Sequence, residues 1–319
     1  MIKAQMLLAL AALGVAVPVT AAPPASYKLV CAGHAKSGAK LVAGTRYEAG
    51  KQDFGFDLMA SPQVNSGACH SDKPFFVSVT EPDGDYRVSV ILGNNNSAAT
   101  TTVKAEARRL MLEQVATRPE QRAKRSFVVN VRTPEVGAEE RVRLKPREIG
   151  NLDWDNKLTI EFIGDHPSVR SIEITPARVP TVYIAGDSTV VDQDKEPWAA
   201  WGQILPVFFN DKIAIANDAE SGETIASFAG EHRFDKIFST LRAGDFLMMQ
   251  FAHNDQKPGR GFVPIPEYKD LLRRFIKLAR DRGAHAMLVA SMNRRFFTPE
   301  GKIKPTLAGY PDAMREVAR

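Results

Sequence analysis

The chain has 319 residues, 44% of them hydrophobic and 25% charged, with a formal net charge of +5. That composition is ordinary for a globular protein of about two domains and excludes a disordered or fibrous chain. The basic excess is spread evenly, +3 over residues 1–176 and +2 over 177–319, with no basic tract of the kind that marks nucleic-acid binders.

The N-terminus reads as a targeting signal. Lys3 supplies a positive n-region, Met6 to Val17 an apolar h-region too short to span a bilayer, and Thr20-Ala-Ala22 a small-residue cleavage site. A signal peptide over 1–22 predicts an exported protein, periplasmic or secreted, with no membrane association after cleavage. No later segment reaches the roughly 18 uninterrupted apolar residues of a membrane helix. The two cysteines, Cys31 and Cys69, are compatible with a disulfide in an oxidising compartment and equally with two reduced thiols.

Residues 26–176 are β-patterned. Pro74–Val79 and Tyr86–Leu92 flank the turn signal Pro82-Asp-Gly-Asp85 and predict a hairpin. Thr102–Arg108 alternates in period two, and Phe127–Val131, Leu158–Ile163 and Ser171–Ile174 continue the series. Arg108–Glu113 has a helical look, but its flank is strand-like. Short strands between Gly, Pro, Asn and Asp turns predict an all-β sandwich of jelly-roll type.

Beyond the connector Pro176–Pro180 the pattern becomes strand, then helix, repeated. Strands are predicted at 181–185, 213–217, 245–251 and 286–290. Helices are predicted at 198–209, 224–241, 266–282 and from 311 onward. The third of these has Leu271, Leu272, Phe275, Ile276 and Ala279 on one face. Alternating βα units imply an α/β fold, a parallel sheet with helices on both faces, over residues 180–319.

Three strand ends carry chemistry. The apolar run from Val182 stops at Gly186-Asp-Ser-Thr189, placing the Ser188 hydroxyl at the carboxyl edge of the sheet, where open α/β sheets bind ligands. Alone, such a serine is more often a cap or turn residue. Ala216–Glu223 brings Gly222, whose N–H can approach an oxyanion, although an isolated glycine is more often a loop residue. Phe251–Asp255 brings Asn254, whose amide can donate to an oxyanion or close an Asx turn. In order, at the ends of three successive strands, they suggest acyl transfer from an ester.

Gly186-Asp-Ser-Thr189, Asn217-Asp-Ala219 with Gly222, and His253-Asn-Asp255 resemble the first three conserved blocks of the SGNH (GDSL) hydrolases. The rhamnogalacturonan acetylesterase branch is the nearer likeness, through Trp201-Gly202, Asn217-Asp-Ala-Glu-Ser-Gly222, Arg233-Phe234, Gly244-Asp245 and Asn293-Arg-Arg295. The resemblance implies a flavodoxin-like sheet, with Ser188 as nucleophile. Its oxyanion hole would be the N–H groups of Ser188 and Gly222 and the side-chain amide of Asn254. Residues 26–176 resemble the galactose-binding-like domain often found ahead of such hydrolases. The third block usually opens with Gly, where this chain has Ala252. The family's last block, an Asp and a His after a fifth strand, has no match after Tyr310. The hydrolase domain is therefore expected to be incomplete at its C-terminus, and this chain inactive as it stands.

No resident histidine replaces that block. His253 neighbours Asn254, and the family commonly has His there without using it as base; His232 and His285 are expected in surface or packing roles. Arg294 and Arg295, on the same sheet edge, suit a uronate carboxylate or form a solvated pair. Trp198 and Trp201, at helical spacing, are expected in the core or site wall. No Gly-x-Ser-x-Gly elbow, zinc motif, P-loop or dinucleotide fingerprint occurs, so neither metal nor cofactor is expected. The sequence thus suggests an exported esterase deacetylating plant cell-wall polysaccharide or oligosaccharide, rhamnogalacturonan or pectin before xylan. A non-catalytic carbohydrate-binding protein is the alternative if the chain ends at Arg319. Oligomeric state is not legible.

Overall fold

The computed structural model describes residues 25–31, 38–65 and 67–319. The leader expected at 1–22 lies outside them. The N-terminal strands are β1 (Tyr27–Cys31), β2 (Ala39–Leu41), β3 (Phe54–Asp57), β4 (Gln63–Asn65), β5 (Ala68–His70) and β6 (Phe75–Thr80). There follow β7 (Gly84–Leu92), β8 (Ala99–Ala105), β9 (Arg109–Thr117), β10 (Ala123–Val131), β11 (Lys157–Asp165) and β12 (Ser168–Pro176).

Two sheets enclose one core. The first runs β10-β7-β12-β1-β2, with β5 also on β12 and β4 on β5; the second runs β3-β6-β11-β8-β9. Pairing is antiparallel except between β1 and β2, so the N-terminal part is a mixed β structure. Period-two alternation buries Tyr86, Val88, Val90 and Leu92 on β7 and leaves Arg87, Ser89 and Ile91 half-buried. These side chains meet Val77, Val103, Ile160 and Phe162 from the facing sheet. Burying each large apolar side chain contributes about 1.5–3 kcal/mol relative to exposure.

The expected hairpin at Pro82–Asp85 is not formed, because β6 and β7 lie in different sheets. Alternation reports which face of a strand is buried, and both strands bury theirs in the same core. The segment between them is a corner, held where the Tyr86 hydroxyl donates to the Pro82 carbonyl at 2.8 Å. The helical look of 108–113 is overridden by pairing of β9 with β8. Cys31 and Cys69 form a disulfide across a sequence separation of 38 residues. Closing a loop of that length stabilises by about 4 kcal/mol on the chain-entropy model.

The C-terminal part is α/β. Its strands β13 (Thr181–Gly186), β14 (Ala214–Asn217), β15 (Phe246–Gln250) and β16 (His285–Leu288) form one parallel sheet in the order β14-β13-β15-β16. All six residues of β13 are buried, as a parallel strand covered on both faces requires. The helices are α1 (Trp201–Ile204), α2 (Ile225–Gly230), α3 (Arg233–Thr240), α4 (Ile265–Asp281) and α5 (Tyr310–Ala318). On α4, Leu272, Phe275, Ile276 and Ala279 are buried as the pattern predicts, and Leu271 lies at the margin. No helix among the described residues is long and apolar enough to cross a membrane.

Two predicted helices are broken. The stretch 198–209 contains only α1 and a 3₁₀ turn, Leu205–Phe208, where Pro206 removes a backbone donor. The stretch 224–241 divides at His232, which takes the left-handed conformation at φ 63°. There the Glu231 carbonyl accepts from the amide of Arg143, a distant residue between β10 and β11.

Buried charges join the two parts. Arg109, 1% exposed, donates from Nε to Asp192 at 2.7 Å, from Nη2 to Asp153 at 2.9 Å and from Nη1 to the Asn130 carbonyl at 2.8 Å. Arg132 donates to the Asn217 carbonyl at 2.6 Å. Arg233 grips Glu148 with both terminal nitrogens, at 3.0 and 2.5 Å.

Candidate active site

The three loops singled out from sequence leave neighbouring strands at the carboxyl edge of the parallel sheet. Gly186 ends β13 where a Cβ would fall 2.6 Å from the Val190 side chain and 3.0 Å from the Gln250 carbonyl, so no side chain fits without a shift. The chain then turns sharply. The Asp187 carbonyl accepts from the amides of Val190 and Val191, while its carboxylate accepts from the Thr189 amide at 2.9 Å and hydroxyl at 2.8 Å. Gln250 on β15 donates to the Thr189 hydroxyl at 2.6 Å and accepts from the Trp201 indole at 3.0 Å. Ser188 stands exposed at the tip of this braced turn.

The Gly222 loop is tied to the first, since the Glu220 amide donates to the Gly186 carbonyl at 3.2 Å. Gly222 has φ +86°, a left-handed value that admits glycine at no steric cost. Among the described residues neither the Ser188 N–H nor the Gly222 N–H has an intramolecular acceptor. Asn254 links the third loop to the second by donating from Nδ2 to the Glu223 carbonyl at 2.9 Å. Lys257 donates to its Oδ1 at 2.6 Å, which fixes the orientation of the amide and leaves it one further N–H. An exposed hydroxyl, two unpaired backbone donors and an oriented amide at one sheet edge are the parts that nucleophilic attack on a carbonyl requires.

Titratable groups lie buried behind this edge. Ala252, which opens the third loop, is buried with φ 156°. His253 is 7% exposed and its Nε2 has no partner among the described residues; burial holds its pKa below the usual histidine value, Asp187 raises it, and Arg294 and Lys257 lower it further. Asp255 is fully buried, accepting the Ile225 amide at 2.9 Å on one oxygen and nothing on the other. Burial pushes its carboxyl up to about 7, against the Ile225 hydrogen bond and with a contribution from Asp187.

A folded pKa above the unfolded one makes stability fall as pH rises. The contribution of Asp255 is complete below about 3.8 and lost by about 7. Asp255→Asn retains the acceptor without the charge. In urea titrations its stability relative to the parent should rise by about 2 kcal/mol between pH 5 and pH 8. An equal difference at both pH values would refute this.

The remaining residues read from sequence are placed as follows. Arg294 and Arg295 are exposed; Arg294 reaches the His253 carbonyl at 3.4 Å, and its amide donates to Thr306 at 2.8 Å. Trp201 is half-buried against the core, but Trp198 is 67% exposed and lies outside any helix, contrary to expectation. Its carbonyl accepts from Arg108 of the β part at 3.2 Å, a contact that helical spacing does not foresee. His285 packs on Phe246 with ring centroids 5.0 Å apart. Glu140, His232 and Asp235 offer ligand atoms within 4.8 Å of one another, but Arg143 faces the His232 ring at 3.3 Å.

Sequence reasoning missed Lys145 and Arg147. Both lie between β10 and β11, and both reach the Gly222 loop. A Lys-Pro-Arg triplet in a loop gives no local signal of a buried partner.

Over part of its length the chain is similar in sequence, at moderate identity, to proteins named as esterases, several of them rhamnogalacturonan acetylesterases. Over 140 residues it is 41% identical to the rhamnogalacturonan acetylesterase RhgT of Bacillus subtilis, covering 43% of this chain and 60% of that protein. Over 141 residues it is 33% identical to the probable rhamnogalacturonan acetylesterase YesY of the same organism, covering 43% and 64%. Similarity to the uncharacterized esterase YxiM, also of B. subtilis, is 26% over 229 residues, 70% of this chain and 54% of that one. The chain therefore spans less than two thirds of each of these relatives. No family model matches it. A solved structure of YxiM aligns with 92% of this chain and 82% of its own at 21% identity, with a TM-score of 0.45, too loose a likeness to carry weight.

Proposed function

We propose that this chain carries the nucleophile and oxyanion donors of an exported esterase that removes acetyl groups from acetylated plant cell-wall polysaccharide, rhamnogalacturonan before xylan. The observation that supports it most is the exposed Ser188 hydroxyl at the same sheet edge as two N–H groups without acceptors and the oriented Asn254 amide. Ser188 Oγ attacks the acetyl carbonyl carbon. The resulting oxyanion accepts from the N–H groups of Ser188 and Gly222 and from Asn254 Nδ2. Collapse breaks the bond to the sugar oxygen, which leaves as a hydroxyl bearing the proton that Ser188 Oγ gave up on attack. Water then attacks acetyl-Ser188 and releases acetate.

The relatives' names favour rhamnogalacturonan, whose uronate carboxylates suit Arg294 and Arg295. We read residues 26–176 as a jelly-roll, galactose-binding-like domain and 180–319 as a flavodoxin-like SGNH domain. A hollow of about 470 Å³, lined by Arg108 and Arg147 of the first and by Asp194 and Lys195 of the second, offers polymer contact from both. The Cys31–Cys69 disulfide supports export, since such bonds persist outside a reducing cytoplasm. Acetate release by the intact protein from acetylated rhamnogalacturonan and from acetylated xylan tests the reading. Faster release from the former is expected, and release from neither would refute it.

A further inference from the structure

The peptide unit joining Ser221 to Gly222 is held from behind by two cations of the β part. Lys145 Nζ donates to the Ser221 carbonyl at 3.0 Å and to the Glu223 carboxylate. Arg147 donates to the same Ser221 carbonyl and, from Nε, to Glu220 at 2.7 Å. Glu223 is fully buried, and its second oxygen accepts from Ser227 in the first turn of α2 at 2.5 Å. Lys145 is thereby anchored to the helix that follows the loop, while Arg147 is tied to the loop itself through Glu220.

The Ser221 carbonyl and the Gly222 N–H belong to one planar trans peptide and point in opposite directions. Fixing the oxygen toward the cations therefore aims the N–H away from them. Among the described residues that N–H has no acceptor. Gly222 at φ +86° offers no side-chain constraint on its own rotation, so the loop depends on outside contacts for its direction. Hydrogen bonds from charged donors are also about twice as strong as neutral ones, and they polarise the peptide they touch. Electron density drawn toward the Ser221 oxygen leaves the Gly222 hydrogen more positive and a better donor.

We propose that Lys145 and Arg147 are positioning residues that aim and polarise the Gly222 N–H, making the β part a component of the oxyanion hole rather than only a polymer-binding module. Neither cation touches substrate. Both act through the Ser221–Gly222 peptide, and the kinetic side of the inference rests on the esterase reading of Ser188. Each supplies its effect only when developing charge on the carbonyl oxygen calls on that N–H, so turnover is affected and ground-state binding is not.

The test uses the intact protein, labelled with ¹⁵N-glycine, and hydrolysis of p-nitrophenyl acetate with kcat and KM separated. In Lys145→Met and in Arg147→Met, kcat should fall about tenfold with KM little changed, less than the roughly 10²–10³ that loss of a whole donor costs. The Gly222 amide proton should move upfield. Lys145→Arg and Arg147→Lys should restore most of both, and they take the place of the methionine variants if those do not fold, reading out instead as a small change in kcat with the Gly222 resonance in place. An unmoved Gly222 resonance in the methionine variants, or kcat within twofold of the parent, overturns the inference. If hydrolysis by the parent is not lost in Ser188→Ala, the esterase reading fails, and the Gly222 resonance alone then decides whether the cations polarise the peptide.

Discussion

Ser188→Ala should reduce acetate release from the intact protein by on the order of 10⁴-fold or more, to near the background rate. The loss is expected to be chemical, not structural. Ser188 is exposed, and its side chain makes no hydrogen bond among the described residues. The turn beneath it is held by Asp187, Thr189, Gln250 and Trp201, none of which the substitution touches. Stability should therefore stay within about 0.5 kcal/mol of the parent. Parallel measurement of acetate release and the urea midpoint separates the two. Retained activity would remove Ser188 from the mechanism, and lost activity with a lowered midpoint would point to a structural role.

Arg109→Leu should cost about 3–5 kcal/mol of stability, a large part of the margin of a typical fold. The substitution removes the cationic donor to the Asp192 carboxylate and the Asn130 carbonyl and leaves Asp153 only one cation, Arg132, at 4.0 Å. Burial already raises the Asp192 pKa, Asp153 raises it further, and Arg109 and Arg132 lower it. Without Arg109, Asp192 takes up a proton more readily, so the penalty should shrink toward acid pH. Asp192 also accepts from Asn217 Nδ2 at 2.7 Å, and the same nitrogen donates to the Val190 carbonyl at 2.8 Å in the turn after Ser188. Loosening Asp192 thus reaches the site through Asn217. Adding Asp192→Asn should recover part of the loss. A cost under about 1 kcal/mol for Arg109→Leu would contradict this account of how the two parts are joined.

What the sequence made legible follows from what is local. A buried parallel strand needs an unbroken apolar run, and β13 has one, so its abrupt end at Gly186 marked the Ser188 turn. Helix α4 buries one face along its whole length, and its period shows it. The order of three strand-end loops placed Ser188, Gly222 and Asn254 on one sheet edge. The β6–β7 connection was misread because alternation reveals a buried face and not the sheet to which a strand belongs. The break at His232 depends on Arg143, and the exposure of Trp198 on a loop held by Arg108, both far off in sequence. Lys145 is the extreme case, with partners Ser221 and Glu223 lying 76 and 78 positions away.

In the proposed reaction the Ser188 hydroxyl is the group that attacks the acetyl carbonyl. Incubating the intact protein with a fluorophosphonate, then mapping the adduct by peptide mass spectrometry, tests it most directly. One adduct is expected, on Ser188, forming in step with the loss of acetate release. An adduct on a different residue, or acetate release that continues with Ser188 fully modified, would contradict it.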